Sequence, residues 1–465
     1  MLGAHKAVAL AGGINNMTNN IRSWTLLLVL VASGCWGLVL YGRAAEPGHP
    51  SAAQRTSESA GATGQHDGPV VLVTVLWAGR EKSIGLDTQI AALRPAKGRL
   101  RVRTKEAGAS AAEFEIRFSW RAAKDVQSSN AAPSVVAADL DPARKALLAA
   151  MTGSYSAQAM TRVAAETPTN GEKQGWEVIF PSPHSGVSLA RQFRVARRLV
   201  AARLADMNMM SPIAGTWPPD FRPQKALALY DAEGVGYFGS TLLDRAVDET
   251  TLEARTLPVC PEDIREGILE RCAGVLFPGG TGSGIAVALH PDGVRRVRDF
   301  VARGGGYFGV CAGAYFAASG RPDYTGMIPL KHDQPWDKGR ATLKLGLTAE
   351  GRALLGAEFS HLETRYHGGP VFPDLAPNGQ RAPVSVLATF ESPSTDTKGV
   401  VRNEMVGTPA ILSMHWQKGR IMIISPHPES QPKFYPLVAR AIGWTIGQDP
   451  KSVEARVPSA RAGRP

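Results

Sequence analysis

Short apolar runs alternate with stretches of helical periodicity between residues 225 and 447. Apolar runs bounded by turn residues are typical of strands buried on both faces, and helices between them favour parallel connections. The pattern therefore predicts a doubly wound α/β domain with a mostly parallel sheet. The predicted strands are 226–230, 251–257, 274–277, the run before Cys311, 384–390, 410–414 and 420–424, and the predicted helices include 291–302 and 435–446.

A separate accessory region is predicted over residues 69–210. Its strand patterns at 70–76, 100–104 and 114–119 and its helical patterns at 142–151 and 187–207 predict an α+β region without a motif of known chemistry. The flanking residues 46–68 and 211–224 are rich in Gly, Pro and polar residues, so both predict linkers. Residues 448–465 predict a disordered tail.

Residues 1–45 predict a signal peptide or membrane anchor. Residues 25–40 are apolar and uncharged, which is short for a membrane span and close to a signal-peptide core. Gly42-Arg43-Ala44 fits a cleavage site; the alternatives are an uncleaved anchor or lipid attachment at Cys35. A start at Met17 would give a leader of conventional length. Each alternative exports the rest of the chain to a periplasm-like space or the outer face of a membrane.

The composition narrows the classes of partner and cofactor. The 465 residues include 52 Lys and Arg against 41 Asp and Glu, a net charge of +11. The arginines are spread along the chain, so we expect solvated charged faces and no nucleic-acid partner. The sequence has no C-x-x-C, H-E-x-x-H or Walker A motif, and we expect no metal and no other cofactor.

The sequence around Cys311 predicts a strained turn that presents a nucleophile. Gly309-Val310-Cys311-Ala312-Gly313 follows an apolar run and precedes a helical pattern. A nucleophile on a sharp strand-to-helix turn needs small flanking residues, and a helix N-terminus favours the thiolate. Cys260 and Cys272 either pair in an oxidising compartment or remain thiols, and in both cases we expect Cys311 to be free.

A candidate base and its orienting carboxylate follow a later strand. In Ser425-Pro426-His427-Pro428-Glu429, the His and the Glu are two residues apart and share one face of an extended chain. Ligand sites in parallel sheets lie at the carboxyl ends of strands, so we expect His427 near Cys311. Glu429 would orient the imidazole, and the imidazole would take the thiol proton.

Three glycine-rich segments receive different interpretations. The loop 278–284 follows a strand, and its backbone N–H groups are suited to hold an oxyanion. Residues 234–239 match G-x-G-x-x-G, but Asp231 and Glu233 stand where a pyrophosphate would lie, which favours a plain loop. Tyr366-His367-Gly368-Gly369-Pro370 is interpreted as a turn that carries a histidine.

These segments resemble the class I glutamine amidotransferase-like superfamily, and more closely the domain named for the N-terminal region of eukaryotic biotin–protein ligases. The resemblance covers about residues 225–447. It implies a flavodoxin-like sheet with Cys311 as nucleophile, His427 as base and Glu429 as orienting group. The residues implied to contact the oxyanion or the substrate are Gly279, Gly280, Ala312, Tyr315 and His367.

The sequence thus predicts an exported, cysteine-dependent amide hydrolase of the amidase or peptidase type. Its substrate would be a small-molecule or peptide amide. Tyr315 stands where classical glutaminases have Gln or Leu, which argues against glutamine. The alternative is a non-catalytic module on the same fold that binds a small molecule or a peptide, because a triad assigns roles and not substrates. The N-terminal segment would provide any membrane attachment.

Overall fold

The computed structural model describes most of the chain after residue 67. The described residues are 68–76, 81–104, 114–121, 162–166, 174–181, 188–213, 215–236, 238–331, 339–373 and 383–456. The predicted leader at 1–45, the linker at 46–67 and the helix predicted at 142–151 lie outside these residues.

The accessory region contains a sheet whose described strands are ordered β2-β1-β3-β5-β4. Every neighbouring pair is parallel except β4 with β5. The strands are β1 (Val70–Val75), β2 (Arg99–Arg103), β3 (Phe114–Arg121), β4 (Arg162–Glu166) and β5 (Gln174–Pro181). Helix α1 (Leu86–Ala91) connects β1 to the parallel β2, so this region is α/β and differs from the predicted α+β class. Its three predicted strands are confirmed.

A long helix, α2 (Leu189–Asp206), packs on this first sheet. Its apolar face contributes Phe193, Leu199 and Leu204 to the same core as Ile116 and Phe118 of β3. The helical periodicity predicted at 187–207 is therefore confirmed.

A larger mixed sheet is formed by the second half of the chain. In the described residues its order is β11-β10-β12-β15-β16-β9-β8-β6-β7. Strands β16-β9-β8-β6-β7 run parallel, and β15, β12, β10 and β11 extend the sheet in antiparallel pairing. The strands are β6 (Ala226–Tyr230), β7 (Arg255–Val259), β8 (Gly274–Phe277), β9 (Gly306–Val310), β10 (Arg340–Leu347), β11 (His361–His367), β12 (Val384–Phe390), β15 (Pro409–Trp416) and β16 (Gly419–Ile424); a short hairpin, β13 (Ser394–Thr395) and β14 (Val401–Arg402), lies apart.

Helices cover both faces of the larger sheet, which is the doubly wound arrangement. Ala228 and Tyr230 of β6 pack in one apolar cluster, and the intervening Leu227 and Leu229 pack in another. Helices α4 (Pro261–Arg265), α5 (Gly282–Ala302) and α6 (Ala312–Ala317) lie on the first side, and α3 (Gly239–Asp248), α7 (Ala349–Leu355) and α8 (Tyr435–Thr445) lie on the second. This mixed α/β architecture is compatible with a flavodoxin-like fold.

The predicted linker at 211–224 is packed against the second half of the chain. Trp217 and Phe221 are buried in the core cluster of the larger sheet. The accessory region also contacts the edge strand β7, where the backbone N–H of Ile84 donates to the carbonyl oxygen of Thr256. The linker therefore joins two regions that share a buried interface.

The end of the described chain is ordered where disorder was predicted. Thr251 donates its backbone N–H to Glu454, and Val453 is buried in the core. Gln448 also donates to the carbonyl of Gly443. The prediction of a disordered tail is thus wrong for 448–456, since one apolar side chain and several backbone hydrogen bonds hold this segment.

Candidate active site

Cys311 lies on a strained turn between β9 and α6. Its backbone has φ 49° and ψ −96°, a left-handed region that costs a non-glycine residue strain. A Cβ on Gly309 would lie 2.6 Å from the carbonyl carbon of Gly313, and a Cβ on Gly313 would lie 2.2 Å from the carbonyl oxygen of Phe277. The turn is therefore as tight as the sequence predicts, and both glycines are required.

Two neighbouring parallel strands bring the predicted base to the predicted nucleophile. Strand β16 pairs with β9, and Ile424 lies opposite Val310, so Cys311 and Ser425 leave the sheet at the same edge. The backbone N–H of Cys311 donates to the carbonyl of Ile424. His427 follows two residues later, and its backbone N–H donates to Arg365 of β11 over 2.7 Å.

His427 is held between Glu429 and Cys311. Its Nδ1 lies 2.7 Å from Oε1 of Glu429, which leaves Nε2 as the ring nitrogen available to the thiol. Burial by itself would lower the pKa of His427, but the Glu429 carboxylate and the Cys311 sulfur outweigh it and raise the pKa to about 10. At neutral pH the imidazole is therefore protonated, and its positive charge lies beside Cys311.

The loop after β8 closes the site from the opposite side. A Cβ on Gly279 would lie 2.5 Å from Cε1 of His427 and 3.6 Å from Cβ of Cys311, so only glycine fits there. Hydrogen bonds from Gly236 to Gly279 and from Thr281 to Gly234 flank Gly280. In such a pairing the N–H of Gly280 points away from the 234–236 loop.

Two backbone N–H groups near Cys311 are candidates to hold an oxyanion. They belong to Gly280 and to Ala312, whose N–H begins helix α6 and has no acceptor within that helix. Cys311 is 4% exposed and His427 is 9% exposed, so charge that develops here meets few water molecules.

Tyr315 and His367 both lie at the site, but their side chains make different contacts. The buried hydroxyl of Tyr315 donates to the carbonyl of Gly368 over 3.2 Å and so holds the turn after β11. The carbonyl oxygen of His367 lies 3.7 Å from Sγ of Cys311. The imidazole of His367 is directed to Arg340, whose Nε donates to Nε2 over 3.0 Å. The structure thus brings every predicted site residue to one edge of the sheet.

The other described cysteines are thiols, so the Cys260–Cys272 bridge that the sequence left open is not formed. Cys260 donates its Sγ hydrogen to Asp263, and Cys272 donates to the carbonyl of Ile268. Burial raises the pKa of Cys260, and it raises the pKa of Cys272 to about 12. Among the described residues neither thiol is hydrogen-bonded to a histidine, in contrast to Cys311.

The G-x-G-x-x-G segment packs closely against the start of α5. We call this contact between the 234–236 loop and residues 279–285 the latch. A Cβ on Gly234, which has φ +87°, would lie 2.4 Å from the backbone nitrogen of Ile285. Asp231 is half-buried and follows β6, and its carboxylate accepts hydrogen bonds from the backbone N–H of Ala190 and the hydroxyl of Ser240. This side chain is thus bound to the first turns of both α2 and α3.

Two arginines near the site were missed from the sequence. Arg340 contacts His367, and Arg365 pairs with His427 through the backbone. The alternating pattern of His361–His367 carried the signal for this strand. Gly368-Gly369-Pro370 directly follow this strand and favour a turn, which obscures the alternation.

Two kinds of feature are absent from the described residues. They contain no group of three or more His, Cys, Asp or Glu side chains arranged to hold a metal ion. Among them, too, no helix combines the length and the apolar character that a membrane crossing requires.

A family model described as "Biotin-protein ligase, N terminal" matches residues 263–325. This segment contains the loop at Gly279 and Gly280 and the elbow at Cys311, and the match confirms the resemblance predicted from the sequence. It ends before His427 and Glu429. No curated protein matches the chain in sequence.

Solved structures are similar to about half of this chain. They include PurLQS from Thermotoga maritima, with 13% identity over 48% of this chain and 98% of that chain and a TM-score of 0.34. A ThuA-like protein from Parabacteroides merdae has 15% identity over 51% and 94%, with a TM-score of 0.36. The glutaminase domain of the Trypanosoma brucei CTPS, solved with bound acivicin, has 12% identity over 48% and 93%, with a TM-score of 0.31.

Proposed function

We propose that this protein is a cysteine-dependent amide hydrolase with a Cys311–His427–Glu429 triad. The observation that carries the proposal is the strained backbone of Cys311 beside the imidazole of His427. Nδ1 of this imidazole lies 2.7 Å from Oε1 of the buried Glu429 carboxylate. Backbone strain at a nucleophile persists only where the surrounding packing enforces it, and it is characteristic of functional sites. The substrate is a small-molecule or peptide amide.

The mechanism transfers an acyl group through the sulfur of Cys311. The thiolate attacks the carbonyl carbon, and the oxygen takes up the negative charge beside the N–H groups of Gly280 and Ala312. The imidazolium of His427 gives its proton to the leaving nitrogen as the C–N bond breaks. The neutral imidazole then removes a proton from water, the hydroxide attacks the thioester, and the acid leaves as the C–S bond breaks.

Glu429 keeps the imidazole in one orientation through both halves of the reaction. Its Oε1 binds Nδ1, and its Oε2 is buried without a hydrogen-bond partner among the described residues. A buried carboxylate of this kind favours the charged imidazolium that forms beside it. Glu429 is thus a positioning residue that acts through His427.

Alkylation of the intact protein by iodoacetamide near pH 7 tests the activated thiol. With peptide mass spectrometry on each cysteine, we expect Cys311 to react more than about tenfold faster than Cys272, a half-buried thiol whose pKa is raised to about 12. His427→Ala should remove most of this advantage, and Glu429→Gln should remove part of it. If Cys311 reacts equally fast in wild type and His427→Ala, the thiol is not activated and the proposal fails.

A panel of peptide and small-molecule amides tests turnover directly. Hydrolysis by wild type and its loss in Cys311→Ala would support the hydrolase. Stabilisation by a ligand that persists in Cys311→Ala, without any hydrolysis by wild type, would instead support a binding module on the same fold.

We also propose that the protein is exported, on the basis of the apolar segment at 25–40 and the residues that flank it. Cell fractionation with N-terminal sequencing tests this. We expect either a chain that lacks its leader or a membrane-bound chain. Recovery of a cytoplasmic protein that still carries the leader would contradict export.

A further inference from the structure

The outer face of β10 and β11 carries two arginines at the end nearest to Cys311. Arg340 lies directly opposite His367 in the antiparallel register, and Arg365 lies opposite Thr342. Both arginines are exposed. They occupy diagonal positions on one face of the pair, a spacing that long side chains can span.

This face adjoins the reacting sulfur through two short contacts. The carbonyl oxygen of His367 is 3.7 Å from Sγ of Cys311, and the ring of the same residue accepts a hydrogen bond from Nε of Arg340. The carbonyl of Arg365 in turn binds the backbone N–H of His427. A guanidinium held by His367 is therefore separated from the thiol by a distance on the order of one to three extended residues.

Among the described residues, no carboxylate forms an ion pair with the positive charge at this end of the strands. Neither Arg340 nor Arg365 forms an ion pair within the described part of the chain. The acidic groups of this face lie farther along and have other partners: Glu363 lies 4.0 Å from Lys344, and Glu391 lies 3.1 Å from His361. Two planar guanidinium groups with unused donors are suited to bind a carboxylate in a bidentate manner.

We propose that Arg340 and Arg365 select substrates that carry a carboxylate near the amide to be cleaved, with His367 positioning Arg340. The inference deepens the proposed hydrolase and rests on it. It assigns the substrate class as acidic amides, such as a peptide with an acidic side chain or a free carboxyl end. The carboxylate would lie against the outer face of β10 and β11 while the amide reaches Cys311.

Two alkylating reagents that differ in charge allow this inference to be tested separately from the proposed function. Iodoacetate carries a carboxylate and iodoacetamide is neutral, and both transfer a similar group to a thiolate. The rate at Cys311 with iodoacetamide reports activation of the thiol. The ratio of the iodoacetate rate to the iodoacetamide rate reports attraction of the anion, whether or not His427 activates the thiol.

We expect that ratio to fall about three- to tenfold in Arg340→Gln and Arg365→Gln, and to fall in wild type as salt is raised because screening weakens charge attraction. Lys344→Gln is the matched control: it removes one positive charge from the same face at a position paired with Glu363, and it should leave the ratio unchanged. These side chains are exposed, so thermal unfolding should show that the variants fold normally.

An unchanged ratio in the double Arg340→Gln, Arg365→Gln variant would overturn the arginine assignment and leave the hydrolase standing. The hydrolase would instead be overturned if Cys311 reacted with iodoacetamide equally fast in wild type and in His427→Ala. The arginine assignment would still stand if the ratio of the iodoacetate rate to the iodoacetamide rate fell in the arginine variants. Failure of both reagents to modify Cys311 in the folded protein would overturn both, because the site would then not admit even a small amide or carboxylate.

Discussion

At the scale of single residues, the grouping of the candidate site residues could be predicted from the sequence, whereas the space around them could not. A nucleophile between two glycines and a His-x-Glu spacing after a strand are local patterns, and strand order then brings them together. That Gly279 touches the imidazole depends on a contact between residues about 150 positions apart in the chain. Such contacts have no local sequence signal.

Gly279→Ala should displace the imidazole. The new Cβ would lie 2.5 Å from Cε1 of His427, so the ring has to move away from its position beside the sulfur. We expect the alkylation rate at Cys311 to fall about tenfold or more and the free energy of unfolding to fall by about 1–3 kcal/mol, as for other overpacked sites. Gly236→Ala is the control, since its Cβ would meet its nearest neighbour only at 3.4 Å.

The charge of His427 predicts a dependence of stability on pH. The pKa is about 10 in the folded protein and about 6.5 when the imidazole is exposed. Because the folded pKa is the higher one, this stabilisation is fully present below about pH 6.5 and is lost as the pH rises through about 10. Urea unfolding from pH 6 to 10 should therefore show the advantage of wild type over Glu429→Gln shrinking as the pH rises.

A second histidine–carboxylate pair provides the control for this pH series. His361 and Glu391 are 3.1 Å apart but exposed, so their interaction is screened by water. Glu391→Gln should give a difference from wild type that stays constant across the same range. Parallel curves for wild type and Glu429→Gln would mean that Glu429 does not hold the proton on His427.

At the scale of elements, the sequence predicted the bounds of several strands well. The strand predicted at 251–257 is wrong in its bounds: β7 is Arg255–Val259, because Leu252 and Ala254 are apolar and buried without belonging to the strand. Strands β6, β8 and β12 begin and end where the apolar runs predict, and the helix expected from residue 291 begins after a kink at His290. Strands β10 and β11 were missed. Each has one face in water, so charged side chains such as Lys344 and Arg365 interrupt its apolar pattern.

The latch between the 234–236 loop and the start of α5 gives a prediction at this scale. In Gly234→Ala the Cβ would lie 2.4 Å from the backbone nitrogen of Ile285, so the two elements must separate. We expect the free energy of unfolding to fall by about 1–3 kcal/mol more than in Gly399→Ala. Gly399 has a similar φ, +82° against +87°, but no atom within 4 Å of its Cβ position.

Comparison of the two alanine variants isolates close packing from backbone strain, because both carry the cost of a positive φ. The latch also sets the position of Gly279 and Gly280, so Gly234→Ala should slow alkylation at Cys311 and Gly399→Ala should not. Equal losses of stability in the two variants would show that the loops are not in close contact.

At the scale of the whole molecule, the accessory region and the larger sheet are joined by a buried ionic network. Arg197 of α2 is fully buried, and its Nη2 lies 2.9 Å from Oδ1 of Asp263, which is also fully buried. Arg194 lies 3.0 Å from the same oxygen. The composition predicts solvated arginines, and this prediction is wrong for these two. A sequence does not show which charges will be buried against a partner in another region.

Asp263→Asn should destabilise the protein as a unit. The change leaves Arg197 buried without its counter-charge, and breaking a buried pair in this way costs about 3–5 kcal/mol. Glu253→Gln removes an exposed partner of Lys225 and is the control, for which little measurable change is expected. Since Asp263 also accepts hydrogen bonds from Cys260, Cys260→Ala separates that contribution.

The form of the unfolding curve decides whether the accessory region belongs to the folding unit of the active site. If the network couples the two regions, fluorescence and circular dichroism report one transition in wild type, and Asp263→Asn shifts both probes together. If the regions were joined only by a linker, Asp263→Asn would leave the transition of the larger sheet in place. In the coupled case the accessory region stabilises the sheet whose strand ends carry Cys311 and His427, a role that its own sequence does not reveal.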